Sequence, residues 1–319
     1  MVKEPRIKKI LMWALTYKCN AGCEYCYLKN YSQPFEDITK KQYFMIADKI
    51  IKNVTWRPEA VWLTGGEPTM LDFLPELIHL FYCNDIPVVL NTNAIVNEDK
   101  LKEILNAKPK GITISLDSTL ENEMRAENKR TFAPEIIIKK IKYIIENKNV
   151  ETIVGTAAVL TRETIERLYD YAKEMRQLGV EYVSINPIHG KNINYNEVAS
   201  TFLNTILKIR TENIIKIPSV FYTNLIYDFY SSQINDPYLC PALENFFFIS
   251  PWGYIYPCSN EIWQKDEENA FNLLDMDDWY SEIIDMKEKN GFVSKTTKSS
   301  CFGERCIGCW KLYYDSIYT

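Results

Sequence analysis

Histidine, net positive charge and long apolar runs are all scarce in this chain of 319 residues. Its two histidines, His79 and His189, argue against a histidine-rich metal site. The 42 acidic residues outnumber the 37 basic ones, so no overall basic field attracts nucleic acid. No apolar run reaches the roughly 18 residues of a membrane-spanning helix, and no signal-like stretch precedes the first motif. We therefore expect a soluble cytoplasmic protein without a membrane partner, whose 46% hydrophobic residues suffice for a full core.

Cysteine, in contrast, is abundant, with nine residues. Because disulfides are rare in a reducing cytosol, grouped cysteines there are typical of metal ligands. Cys19, Cys23 and Cys26 have the spacing Cys-x3-Cys-x2-Cys directly after an apolar, strand-like segment. Such a loop can hold three corners of an iron–sulfur cube and leave the fourth iron open, although zinc sites and disulfides use similarly short spacings. Cys83 follows aromatic residues on an apolar helix, which predicts a buried core cysteine.

A second motif, Leu63-Thr-Gly-Gly-Glu-Pro-Thr69, follows an apolar strand further along the chain. Gly65 and Gly66 allow close backbone approach, and the carboxylate of Glu67 suits an ammonium group. With the cysteine loop, this motif resembles the radical S-adenosylmethionine (SAM) superfamily. The resemblance implies that three cysteines hold a [4Fe–4S] cluster, that the fourth iron and the motif bind SAM, and that an electron donor such as flavodoxin or ferredoxin drives its cleavage. The 5′-deoxyadenosyl radical so formed abstracts a hydrogen atom from the substrate.

The first 190 residues alternate β-branched runs with longer amphipathic stretches, which predicts an α/β fold. The predicted strands are Ile10–Leu15, Ala60–Leu63, Val88–Asn91, Ile112–Leu116, Thr152–Ala158 and Tyr182–Ile185. The predicted helices are Thr39–Lys52, Leu71–Tyr82, Glu98–Leu105, Pro134–Glu146 and Thr164–Leu178. Because parallel neighbours need right-handed crossovers, we expect a partial (β/α)6 TIM-like barrel with its site at the carboxyl ends of the strands.

Three domains are expected: the core barrel over residues 1–190, a helical bridge over 191–238 and a small cluster domain over 239–319. In the bridge, a helix is predicted over Val198–Thr211. The aromatic run Phe221–Tyr230 has helix-like spacing, which favours a packing face over a substrate-stacking surface.

Short polar residues end two of the predicted strands, in the segments Asn91–Asn93 and Ser115–Ser118. Because Asn, Ser and Asp are ordinary turn formers, these residues alone indicate a turn as readily as a binding site. The family resemblance implies that Asn93 lines the SAM pocket. It also implies that Ser115 and Asp117 approach the SAM carboxylate, the ribose or the substrate, which makes Asp117 a candidate catalytic residue.

The family resemblance also assigns two further residues to cofactor binding. Arg125 matches a carboxylate-binding arginine, the alternative being a solvated charge at a helix start. Tyr25, just before the third cysteine of the loop, matches an aromatic position beside the adenine.

Five more cysteines lie in the last 80 residues and suggest a second metal centre. The segment Phe248–Cys258 predicts a β-hairpin and resembles the hairpin of the SPASM and twitch domains appended to many radical SAM enzymes. SPASM domains carry more cysteines than this group, so we expect one auxiliary [4Fe–4S] cluster, with a four-cysteine zinc knuckle as the alternative. The twitch-like ligands are Cys240, Cys258, Cys306 and Cys309. Cys301 is then spare: it can replace a neighbouring ligand or act catalytically as a hydrogen donor.

For the substrate, three interpretations stay open. Epimerisation, crosslinking or oxidation of a ribosomally made peptide is the common role of SPASM and twitch relatives and is slightly favoured, although we expect no room before Cys19 for a leader-binding domain. Oxidation or epimerisation of a small aminocyclitol or sugar in antibiotic biosynthesis fits a single auxiliary cluster equally well. A redox scaffold without catalysis would not require the intact Gly-Gly-Glu-Pro motif.

Overall fold

The computed structural model describes residues 8–23, 26, 28, 37–119, 133–187, 196–231, 245–256 and 271–290. Its strands are β1 Ile10–Thr16, β2 Ala60–Gly65, β3 Val88–Thr92, β4 Gly111–Ser115, β5 Ile153–Leu160, β6 Tyr182–Pro187, β7 Phe246–Ile249, β8 Tyr254–Tyr256 and β9 Phe271–Asn272. Its α-helices are α1 Lys40–Lys52, α2 Leu74–Cys83, α3 Glu98–Asn106, α4 Pro134–Asn147, α5 Arg162–Gln177, α6 Asn196–Thr211, α7 Val220–Tyr230 and α8 Trp279–Asn290.

Local sequence signals account for several helix starts. Thr39 and Thr161 form capping boxes at α1 and α5, and the side chain of Asn97 caps α3. The predicted start of α2 at Leu71 is wrong, because Pro68–Met70 forms a 3₁₀ turn and the helix begins only at Leu74.

The nine strands form one sheet in the order β6-β5-β4-β3-β2-β1-β7-β8-β9. Strands β1 to β6 are parallel and follow chain order, which confirms the predicted α/β class with the sheet of a partial barrel. The predicted hairpin is also confirmed, since β7 and β8 pair antiparallel. However, β7 pairs in parallel with β1, so these strands extend the barrel sheet itself. The domain boundary at residue 239 stays a prediction.

One face of the sheet packs on helices and the other faces inward. The hydroxyl of Tyr171 in α5 donates to Oγ1 of Thr156 in β5, which places the Thr156 face against the helices. On the opposite face, the ring of Tyr182 lies directly over Gly155, where a Cβ atom would come within 2.1 Å of the ring. The hydroxyl groups of Tyr182 and Thr113, which lie on the same face, form a hydrogen bond with each other. Tyr182 thus fills the inner face of the barrel below the strand ends.

Aromatic packing joins the later segments to the barrel. In α7, Tyr222, Ile226 and Tyr230 repeat at helical spacing and are all buried, which confirms the predicted packing face. At the start of α8, Trp279 is 1% exposed and packs edge-on against Trp56 and Phe247.

The prediction of a buried Cys83 is wrong, because this residue is exposed. The buried stripe of α2 runs through Leu74, Leu77, Ile78 and Phe81, and a residue two positions further on points away from it. None of the described helices is long and apolar enough to cross a membrane.

Candidate functional site

The three cysteines of the first motif lie in one loop that leaves the carboxyl end of β1. The backbone N–H of Cys26 donates to the carbonyl of Cys23 at 3.1 Å, and the N–H of Ala21 donates to Sγ of Cys19 at 3.3 Å. Among the described residues, no three His, Cys, Asp or Glu side chains surround a single ion position. That finding is compatible with a cube, because each of its iron atoms takes its own thiolate. The donor set therefore fits three corners of such a cluster.

Electrostatics around Cys19 show why a metal would have to stabilise its thiolate. Although the residue is exposed as a whole, the pKa of the Cys19 thiol is raised to about 11, and burial is the largest cause. The Ala21 N–H opposes this rise, whereas the negative charge of Glu67 and the thiolates of Cys23 and Cys26 contribute to it. A bound cation reverses this balance and deprotonates a coordinating thiol.

The two glycines of the second motif bring β2 against this loop. Gly66 N–H donates to the Thr16 carbonyl at 2.6 Å, and Glu67 N–H donates to the Lys18 carbonyl at 2.9 Å. A Cβ atom on Gly65 would lie 2.3 Å from the Thr16 oxygen, and one on Gly66 would lie 2.1 Å from the Lys18 oxygen. Gly65 also has φ of +125°, which residues with side chains rarely adopt. Only glycine allows the motif to approach the cysteine loop this closely.

The carboxylate of Glu67 is occupied by the protein. Its side chain is 1% exposed. Oε1 accepts bonds from the backbone N–H of Thr69 at 3.0 Å and from the hydroxyls of Thr69 and Thr92, both at 2.6 Å. Oε2 accepts the N–H of Asn93 at 2.7 Å.

Burial raises the pKa of Glu67, and the four donors partly counteract that shift. Each carboxylate oxygen has about two lone-pair sites, so three donors fill Oε1, whereas Oε2 has one donor and one site left. These bonds make the side chain a link between β2 and β3, and the ammonium-binding role of Glu67 stays a prediction.

The predicted residues after β3 and β4 lie at the same end of the sheet. Asn93 is buried, and Ser115 ends β4 half-buried. Asp117 is 4% exposed, and its Oδ1 accepts the N–H of Val159 at 2.9 Å, so the carboxylate fixes the neighbouring strand. Whether Ser115 and Asp117 also contact a ligand stays a prediction.

Three polar residues lie on the inner face, and sequence reasoning named only Asn91, as part of the segment that ends its strand, and missed Ser184 and Asn186. Strand register and alternation place Asn91, Ser184 and Asn186 on the face that carries Tyr182. Among the described residues, Oδ1 of Asn91 is buried without a hydrogen-bond partner. The sequence did contain a signal for these residues. Asn91 interrupts the apolar strand β3, and Ser184 and Asn186 alternate with apolar residues in β6.

Several predicted site residues lie outside the described residues, and their roles stay predictions. They are Tyr25, Arg125, Cys240, Cys258, Cys301, Cys306 and Cys309.

Comparison with known proteins gives concordant matches. A family model, the Radical SAM superfamily, matches residues 13–175. An uncharacterized protein of Methanocaldococcus jannaschii is 27% identical over 256 residues, which are 74% of this chain and 86% of that protein. The GTP 3',8-cyclase of Clostridium perfringens is 29% identical over 205 residues, 61% of this chain, and the match spans only 60% of the cyclase.

Two solved structures share the fold. SuiB of Streptococcus suis bound to the precursor peptide SuiA is matched with a TM-score of 0.65 and 16% identity, over 96% of this chain and 72% of SuiB. Native anSMEcpe with bound AdoMet and the Cp18Cys peptide is matched with a TM-score of 0.65 and 16% identity, over 97% of this chain and 88% of that one. At such identities the likeness is one of fold.

Proposed function

The chain belongs to the radical SAM superfamily, and from that premise we propose that it is an enzyme that abstracts a hydrogen atom from a peptide. The cluster and SAM supply, when bound, one-electron cleavage of SAM to methionine and a 5′-deoxyadenosyl radical. In this proposal Cys19, Cys23 and Cys26 hold that cluster.

One observation carries the proposal: the second motif is hydrogen-bonded directly to the backbone that leads into the cysteine loop. Gly66 and Glu67 donate to the carbonyls of Thr16 and Lys18, so the motif loop and the cysteines share one edge of the sheet. A purely structural cysteine loop would not need two glycines in contact with its base. A cosubstrate that spans the loop and the carboxyl ends of the strands would need this proximity.

The inner face of the barrel offers the next group of contacts. Asn91, Ser184 and Asn186 present amide and hydroxyl groups to the space above Tyr182, with Ser115 beside them. Such groups can orient a polar substrate by hydrogen bonds without adding charge.

For the substrate, a peptide is supported by the fold neighbours SuiB and anSMEcpe, which were solved with peptides. The polar inner face favours a second candidate, the oxidation or epimerisation of a small aminocyclitol or sugar. We also propose the auxiliary [4Fe–4S] cluster on Cys240, Cys258, Cys306 and Cys309, which could accept an electron from a substrate radical. Cys301 is its spare thiol and would return a hydrogen atom if the product is an epimer.

The first test is anaerobic reconstitution with iron and sulfide, followed by reduction in the presence of SAM. We expect about eight iron atoms per chain and release of 5′-deoxyadenosine, since two cubes hold four irons each. Replacing Cys19, Cys23 and Cys26 together by alanine should leave about half the iron and abolish cleavage. The Cys83→Ala variant, which removes an exposed thiol outside both groups, is the matched control. Cleavage that survives in the triple variant would refute the cluster assignment.

The second test identifies the substrate class. Deuterated peptides and deuterated aminocyclitols are supplied separately, and the mass of the released 5′-deoxyadenosine is measured. Deuterium gained only from peptides supports the peptide proposal. Deuterium gained only from the aminocyclitols would overturn it in favour of the second candidate.

A further inference from the structure

A closed ring of hydrogen bonds links the cysteine loop to the exit of β3. Oδ1 of Asn93 accepts the backbone N–H of Ile95 at 2.8 Å, and the carbonyl of Ile95 accepts Nδ2 of Asn20 at 2.9 Å. Oδ1 of Asn20 then accepts Nδ2 of Asn93 at 2.8 Å, which completes the ring. Ala94, inside it, has φ of +59°, a left-handed conformation that alanine rarely adopts. The ring therefore holds a turn that the backbone alone would not favour.

The ring fixes how both amide groups point. In many proteins the oxygen and nitrogen of an asparagine amide can be exchanged without changing the shape. Here the N–H of Ile95 requires an oxygen from Asn93, and the carbonyl of Ile95 requires a nitrogen from Asn20. Nδ2 of Asn93 consequently faces the cysteine loop as a donor. One of its two hydrogens goes to Asn20, and the other remains for Sγ of Cys19, 3.9 Å away.

From this geometry we infer that Asn93 is a positioning residue that donates a hydrogen bond to the Cys19 thiolate and thereby raises the reduction potential of the cluster at that cysteine. The inference rests on the proposed function, because it requires an iron–sulfur cluster at Cys19. A donor to a ligating sulfur stabilises the reduced state, which carries one more negative charge, more than the oxidised state. Removing the donor should make reduction harder.

The chain offers a matched pair of variants. Asn93→Ala and Asn20→Ala both break the bond between the two amides and open the ring. In Asn20→Ala, however, Asn93 keeps its bond from Ile95 and still donates to Cys19. A loosened loop would affect both variants alike, whereas loss of the sulfur donor occurs only in Asn93→Ala.

The measurement is the midpoint potential of the reconstituted holoprotein, from redox titration followed by electron paramagnetic resonance. The signal that changes when SAM is added identifies the cluster in question. We expect a more negative midpoint in Asn93→Ala and a nearly wild-type midpoint in Asn20→Ala. The cluster-free forms of both variants should melt below the wild type, since both lose the ring.

Asn93→Asp is the second donor-free variant, in case Asn93→Ala retains no cluster. It keeps the shape and the bond from Ile95, places an acceptor next to Cys19, and should lower the midpoint further. An unchanged midpoint in the Asn93 variant that retains the cluster, or an equal shift in Asn20→Ala, would overturn the inference. If the wild-type protein shows no SAM-dependent signal, the proposed function itself has failed, which separates the two outcomes.

Discussion

Glu67→Gln tests whether the motif carboxylate is a structural link or a ligand for SAM. The substitution keeps the shape of the side chain and replaces one acceptor oxygen by an NH₂ donor. Oε1 receives three donors and Oε2 only one, so the amide oxygen should take the Oε1 position. The new NH₂ group then faces the N–H of Asn93, which donated to Oε2 at 2.7 Å. Two donors are left opposing each other at a site that is 1% exposed.

The expected cost follows from that opposition. Losing a hydrogen bond to a charged group, and leaving a buried N–H unsatisfied, each cost roughly 1–3 kcal/mol. Removing a buried charge offsets part of this cost, because burial already disfavours the ionised form of Glu67. We therefore expect the free energy of unfolding to fall by about 2 kcal/mol. The effect should be present without SAM and without a cluster.

The assay is urea unfolding of the cluster-free protein under anaerobic conditions, in parallel with SAM binding to the holoprotein. Glu76→Gln is the control, because it makes the same chemical change at a side chain that is 59% exposed and pairs with Lys40 at the surface. Such exposed pairs are worth about 0–1 kcal/mol, so this variant should unfold almost like the wild type. Wild-type stability of Glu67→Gln, combined with a tenfold loss of SAM affinity, would refute the structural link.

Three further predictions concern the same framework. Gly66→Ala places a Cβ atom 2.1 Å from the Lys18 carbonyl and should reduce the iron bound after reconstitution; wild-type iron content would contradict the close approach. Trp279→Ala should lower the free energy of unfolding by about 3–5 kcal/mol in urea, since it empties a fully buried site, and a loss below about 1 kcal/mol would show that α8 is not packed there. Hydrogen bonds from Ser281 and Asn53 lower the pKa of Asp278, so the stability it contributes is present above pH ~4 and is lost as the pH falls through the folded-state pKa. Asp278→Asn should therefore melt below the wild type at neutral pH, and a difference that persists in strong acid would refute this assignment.

The sheet could be predicted from the sequence because each strand is a short β-branched run followed by an amphipathic helix. Chain order then fixes parallel neighbours. What could not be predicted is where a polar side chain points. Glu67 has the same neighbours in the sequence whether it faces a ligand or the donors of β3, and only the register between β2 and β3 brings Thr92 and Asn93 to it. The pairing of β7 with β1 escaped prediction for the same reason, since it joins segments more than 200 residues apart.

The start of the cysteine loop, residues 16–20, is held by contacts from three parts of the fold, which bears on how the loop could accept iron. Gly66 and Glu67 donate to the carbonyls at its base, and the ring through Asn93 holds Asn20, directly after Cys19. Trp252 in the β7–β8 turn packs edge-on against Tyr17, with ring centroids 5.3 Å apart. Fixing one residue's backbone costs roughly 1–2 kcal/mol of conformational entropy. Residues already fixed by folding do not add that cost to metal binding, so the fixed start of the loop leaves more of the iron–thiolate energy for affinity. Since the hairpin that carries Trp252 lies between Cys240 and Cys258 in the sequence, the contact of Trp252 with Tyr17 joins this part of the chain to the base of the first cysteine loop.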